Sequence, residues 1–225
     1  MKYLFFLLMA TFLATPIAAQ AGKIRMMDVE VKGIDMGEEM PSSYAYCEAG
    51  KKGGHEDGEN VRPKISWAKG PKETQSYAII VIDPDVPANL DDINKEDVTI
   101  EADAPRQPFY HWAQVDIPAD ITELPKGKGR GLDKGQASHG IPGINDYATF
   151  LDPTRALEFK GWDGPCPPWN DMKVHHYHFI VAALDVRSLD LPQGFTARDA
   201  FEAIKAHTIA KGKVIGTYTT NPEAE

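Results

Sequence analysis

The stretch "VHHYHFIVAALDV", residues 174–186, decides the fold. It contains β-branched and aromatic residues, no glycine and no proline, and its second half is apolar at nearly every position. That is the pattern of a strand buried on both faces. Side chains alternate along a strand. His175, Tyr177, Phe179 and Val181 therefore share one face, and His176, His178, Ile180 and Ala182 the other.

Other segments supply partners for it. "YAIIVID" (77–83) predicts a second buried strand, stopped by "PDVP". "FYHWAQVDI" (109–117) predicts a third, with His111 beside Phe109, Ala113 and Val115 and with Trp112 on the opposite face. "IRMMDVEVKGI" (24–34), "KISWA" (64–68) and "KVIGTYTT" (213–220) predict further strands. One helix is signalled by the pair Thr196 and Asp199, a capping box. Ala197, Ala200, Phe201 and Ile204 follow as a buried stripe, with Gly212 as a stop. Residues 48–60 and 88–108 read as loops and 118–164 as mostly irregular chain. The expectation is a mainly β, sandwich-like domain with peripheral helices.

Residues 1–21 read as a cleaved secretory signal peptide: Lys2, the apolar run Tyr3–Ala19, and small residues at a cleavage point after Ala19 or Ala21. The mature chain, 22–225, then reads as one domain, periplasmic or secreted, without a membrane-spanning segment. The formal charge is −9, and the basic residues form no stripe, the densest run being "KGKGR" at 126–130. Nucleic acid is therefore excluded as an expected partner. Cys47 and Cys166 are the only cysteines, and an oxidising compartment favours their pairing as a disulfide.

Three sets of residues carry chemistry. His176 with His178, or His111 with His175, would supply two metal ligands each, but no Cys-x-x-Cys or His-Glu-x-x-His motif completes either set, so no metal and no cofactor is expected. Asp83 closes an apolar strand and precedes Pro84 and Pro87. Such a carboxylate sits either in an ordinary turn or at a stiff pocket rim. Cys166, His175 and Asp83 together hold the residue types of a cysteine hydrolase, and Asp, His and Tyr those of an acid–base enzyme.

"DPDVP" (83–87), "HW" (111–112), "GPCPP" (164–168) and "HHYHF" (175–179) occur in that order, followed by "FTARDAFEAIKAHTIAKGKVIGTY" (195–218). In this the chain resembles the phosphatidylethanolamine-binding protein family, in its bacterial Raf-kinase-inhibitor-like branch, over roughly residues 25–220. The resemblance implies a central antiparallel sheet packed against a smaller one, with peripheral and C-terminal helices. It implies a non-catalytic binding or regulatory protein with a small anion pocket for a phosphate-like or phospholipid head group, or an inhibitor of a partner protein. By motif the pocket residues are Asp83, His111, Gly164, Pro165, Pro167, Pro168, His175 and Tyr177. Protonation of both His111 and His175 would make that pocket net positive and tighten anion binding as pH falls. The chain departs from the branch at His176, where arginine is usual, and is longer between Cys47 and Asp57 and over 147–163, segments that bear on the pocket mouth.

Overall fold

Two-sided burial of the apolar strands organises everything else. A computed structural model describes residues 24–51, 53–129 and 139–225; the predicted leader lies outside them. Among the described residues the strands are β1 (Arg25–Met26), β2 (Val29–Val31), β3 (Cys47–Ala49), β4 (His55–Asp57), β5 (Val61–Arg62), β6 (Ile65–Trp67), β7 (Ser76–Pro87), β8 (Arg106–Pro118), β9 (Glu123–Leu124), β10 (Gly127–Lys128), β11 (Ile141–Pro142), β12 (His175–Leu184) and β13 (Thr208–Tyr218). The helices are α1 (Tyr147–Leu151) and α2 (Ala197–Ile204), with short 3-10 turns between elements. None of these helices is long and apolar enough to cross a membrane.

The principal sheet runs β1-β13-β12-β7-β8-β11, with β12 and β7 at its centre. Its pairings are antiparallel except β1 with β13. One face carries Tyr77, Ile79, Val81, Phe179 and Val181, packed against Val31, Ile65, Trp67 and Leu124 of the smaller β2-β6-β9 sheet. The other carries Ala78, Ile80 and Ala182, covered by Ala197, Ala200 and Ile204 of α2. The expected fold class, a central antiparallel sheet against a smaller one with peripheral helices, is the one observed.

Several sequence expectations are corrected. The run 24–34 is not one strand: β1 joins the principal sheet and β2 the smaller one. "PDVP" does not stop β7, which continues to Pro87 after a change of register between Asp83 and Val86. Residues 48–60 contain the β3–β4 hairpin, and 118–164 contains β9, β10, β11 and α1. These pieces are two to five residues long, too short to leave a periodic apolar signal. The capping box of α2 is present, but the helix ends at Ile204, and Gly212 lies inside β13. A Cβ on Gly212 would stand 2.2 Å from the Met27 carbonyl oxygen, where the first strands cross β13.

The largest correction concerns β8. Val81 pairs with Trp112 and Ile82 with Tyr110, which leaves His111 as the extra residue of a β-bulge. The bulge puts His111 and Trp112 on the same side of the sheet and sends Ala113 and Val115 to the α2 side. A second shift near Asp116, whose φ is +54°, returns Ile117 to the first face. Strict alternation cannot foresee either. The outer strands β1 and β11 are only two residues each.

Gly212→Ala should lower stability by about 1–3 kcal/mol, because the contact to fixed backbone leaves no room for relaxation. Urea unfolding at neutral pH measures it, and an unchanged midpoint would contradict the crossing described.

Candidate functional site

Three strand residues and one loop converge where β7, β8 and β12 end. Asp83, His111 and Tyr177 line a cavity of about 240 Å³, with Cys166, Pro167 and Pro168 of the Gly/Pro loop on another side. Its remaining wall is mostly apolar and aromatic: Tyr46, Val86, Phe109, Tyr147, Phe150 and Leu151. The rings of Phe109 and Tyr177 lie 4.9 and 5.1 Å from that of His111.

The loop is held by a buried polar network. The Asp163 carboxylate accepts from Asn60 Nδ2 at 2.6 Å and Asn145 Nδ2 at 2.9 Å. Gly164 N–H donates to Asn60 Oδ1, and Tyr147 donates its hydroxyl proton to the Gly164 carbonyl. A Cβ at Gly164 would lie 1.8 Å from the Tyr44 carbonyl oxygen, so only glycine fits there. The backbone N–H groups of Tyr46 and Cys47 donate to the Pro165 carbonyl at 2.8 and 3.2 Å. Cys47 and Cys166 form a disulfide, with Cα atoms 5.0 Å apart. The Cys166 sulfur is thereby spent, and the thiol required by the hydrolase reading is missing in this oxidised state.

Behind the cavity wall lies a chain of charges. His175 is fully buried. Its Nδ1 donates to Asp83 Oδ2 at 2.6 Å and its Nε2 to Asp171 Oδ2 at 3.1 Å. Asp171 also accepts from both terminal nitrogens of Arg106, at 2.5 and 3.1 Å. Since both ring nitrogens donate to carboxylates, the ring is an imidazolium. Burial opposes that charge, but Asp83 and Asp171 overcome it and push the pKa up to about 9. The second oxygen of Asp83, Oδ1, accepts from the Asp85 N–H at 2.7 Å.

His111 behaves in the opposite way. Its Nδ1 lies 2.9 Å from the Asp163 carbonyl, an acceptor only, so Nδ1 carries the proton. Burial lowers its pKa, only partly opposed by Asp83. The ring is neutral at pH 7, and its Nε2 is an acceptor with no partner among the described residues. Among the described residues the Tyr177 hydroxyl has only a poorly formed contact, with the Asp83 carboxylate. Burial, reinforced by the nearby Asp83 carboxylate, holds it protonated far above the usual phenol range.

Of the predicted site residues, Asp83, His111, Pro167, Pro168 and Tyr177 line the cavity, whereas His175, Gly164 and Pro165 stand behind it. His175 positions Asp83, and Gly164 and Pro165 hold the loop. The expected net positive pocket is also corrected: His175 is charged but matched by carboxylates, and His111 is neutral. Sequence reading missed Asp171, only four residues before its partner His175, and Arg106, which reaches Asp171 from 65 positions away. It missed Tyr46 and His55 as well. Both segments noted as longer than usual do wall the cavity: His55 comes from one, and Tyr147, Phe150 and Leu151 from the other. His176 pairs its ring with Asp85 at 2.8 Å rather than facing the cavity.

The family model described as phosphatidylethanolamine-binding protein matches residues 31–219. The chain belongs to the phosphatidylethanolamine-binding protein family. Its members are known as ligand-binding or regulatory proteins and are generally non-catalytic. Among relatives, the chain is 34% identical over 163 residues to a UPF0098 protein of Methanothermobacter thermautotrophicus, covering 72% of this chain and 85% of that one. It is 28% identical over 213 residues to the UPF0098 protein YbcL of Escherichia coli, covering 94% and 97%. The crystal structure of YbcL, titled a new member of the mammalian PEBP family, superposes with a TM-score of 0.61 at 28% identity, covering 85% of this chain and 97% of that one. A homologue from Chlamydia trachomatis, CT736, gives 0.59 at 25% identity, covering 87% and 98%. The likeness to YbcL and to YbhB places the chain with the bacterial branch of the family.

The His175 proton stabilises the fold below its ordinary pKa of 6.5, and that contribution is lost as pH rises through about 9. Thermal melts should therefore fall across that alkaline window. His175→Gln should flatten this part of the profile and cost about 3–5 kcal/mol at neutral pH. Reducing the disulfide should cost about 2–4 kcal/mol, read by denaturant unfolding with and without reductant.

Proposed function

We propose that the chain is a non-catalytic binding protein whose cavity takes a small phosphate monoester or a phospholipid head group. The observation that carries this reading is a pair of buried polar atoms at one cavity wall: His111 Nε2, with no partner among the described residues, and the Tyr177 hydroxyl, which has only a poorly formed interaction with Asp83. Buried polar atoms without partners are costly, about 1–3 kcal/mol each, and a ligand that pairs with both recovers that cost. The volume of about 240 Å³ suits a phosphoryl group with a small organic substituent.

The protonation states set the binding chemistry. Tyr177 donates to a phosphoryl oxygen. His111 Nε2 either accepts from a P–OH group or takes up a proton and donates. Both routes bring one proton with the ligand, whose second ionisation lies near about pH 6. Asp83 does not repel the anion outright, because the His175 imidazolium neutralises it at 2.6 Å. The apolar wall from Phe109 to Leu151 favours a monoester over inorganic phosphate.

Calorimetry with phosphoethanolamine on the purified protein tests this. Binding should tighten by at least about tenfold between about pH 8 and about pH 5.5. Tyr177→Phe should weaken it by about tenfold or more, since a hydrogen bond to a charged group is lost. Equal affinity at both pH values, or a Tyr177→Phe variant that binds like the wild type, would sink the proposal.

A further inference from the structure

We propose that Cys47, Cys166 and His55 form a redox-gated site for a thiolate-preferring cation, with Zn2+ as its representative. Their ligand atoms all lie within 4.8 Å of one another. The hairpin register pairs Cys47 with Asp57 and Ala49 with His55, which puts Cys47 and His55 diagonally on one face. Cys166 reaches them from the Gly/Pro loop, and its sulfur lies 3.8 Å from His55 Nδ1. Zn–S and Zn–N bonds of about 2.3 and 2.0–2.1 Å set tetrahedral ligands roughly 3.6–3.8 Å apart, so the His55–Cys166 spacing already suits a metal, and on reduction the sulfurs must swing from bonding distance to that separation.

The histidine is already set as a ligand. Its Nε2 lies 2.9 Å from the Pro167 carbonyl and 3.0 Å from Thr220 Oγ1. The Thr220 hydroxyl itself donates to the Pro167 carbonyl at 2.8 Å, so both neighbours accept from the ring. Nε2 therefore carries the proton, and the Nδ1 lone pair faces the sulfurs. A carbonyl and a hydroxyl that fix the tautomer in this way are the outer support seen around metal-bound imidazoles. The two cysteines are held together by more than their bond. The Pro165 carbonyl accepts from Tyr46 and Cys47, so the loop and the hairpin remain joined when the sulfurs separate. His55 and Cys166 line the cavity, which leaves the fourth position open to water.

The chemistry balances. A phosphine breaks the S–S bond, leaves as its oxide with oxygen from water, and delivers two electrons; the sulfurs take two protons. Zn2+ then displaces those two protons and forms two Zn–S bonds and one Zn–N bond. A disulfide oxidant reverses the sequence: its own S–S bond breaks, the chain's re-forms, and the ion is released.

The test titrates the purified full chain, reduced with a phosphine, with Co2+ and then Zn2+, while near-ultraviolet circular dichroism follows the fold. One Co2+ per chain should give sulfur-to-cobalt charge transfer and tetrahedral visible bands, absent from the oxidised chain. Thr220→Val should weaken Zn2+ binding by about tenfold, and His55→Ala by more. Reduced protein without charge transfer, or a His55→Ala variant of unchanged Zn2+ affinity, would overturn the site. So would a reduced chain that loses its fold and does not regain it with Zn2+.

Discussion

An imidazolium with no access to water is the constraint on which the rest of this structure depends. His175 sits between Asp83 on β7 and Asp171 in the loop before β12, and Arg106 at the start of β8 completes the group. Two negative and two positive groups cancel. Removing one would leave its neighbours buried and unmatched, a far larger penalty than the pair's net benefit. The cluster therefore locks three separate segments into one register. It also points Asp83 toward the cavity with both of its oxygens already engaged.

The cavity's binding capacity then passes to two neutral groups. His111 faces Tyr177 on the same side as Phe109, and the extra residue in β8 reverses the faces of the residues that follow it. Its other nitrogen is tied to the Asp163 carbonyl, and Asp163 is itself held by Asn60 and Asn145. A side chain on an apolar strand thus becomes an acceptor of fixed orientation. Two neutral polar groups, rather than a standing positive field, face this cavity.

The central strands were legible because burial on both faces forces continuous β-branched and aromatic runs, as in 77–83 and 174–186. The start of α2 was legible because its capping box is a local pattern. The bulge at His111 was not, since one inserted residue has no compositional mark yet reverses the face of all that follows. Gly212 looked like a helix stop because a glycine required by a crossing strand is indistinguishable from one required by a turn. The motifs identified the residues around the pocket but not their depth: His175 and Tyr177 share a face, and only the positions of Asp83 and Asp171 decide that the first is occupied and the second open. His55 carried no signal, lying in a polar segment whose hairpin has no apolar periodicity.

The lengths of the outer strands have a consequence for behaviour at high concentration. β13 is a long strand, and only two residues of β1 pair with it along the margin of the sheet. Its remaining outward groups are met piecemeal: Gly37 and Met40 donate to the carbonyls of Ile215 and Thr217, and Thr217 N–H donates to Glu38. At the opposite margin β11 is equally short and ends in Pro142, which has no N–H to offer. Among the described residues, a foreign strand thus meets no continuous ladder to extend at either margin of the principal sheet. Rims broken into fragments give the strand of a second copy little to pair with, so the principal sheet is poorly suited to edge-to-edge growth.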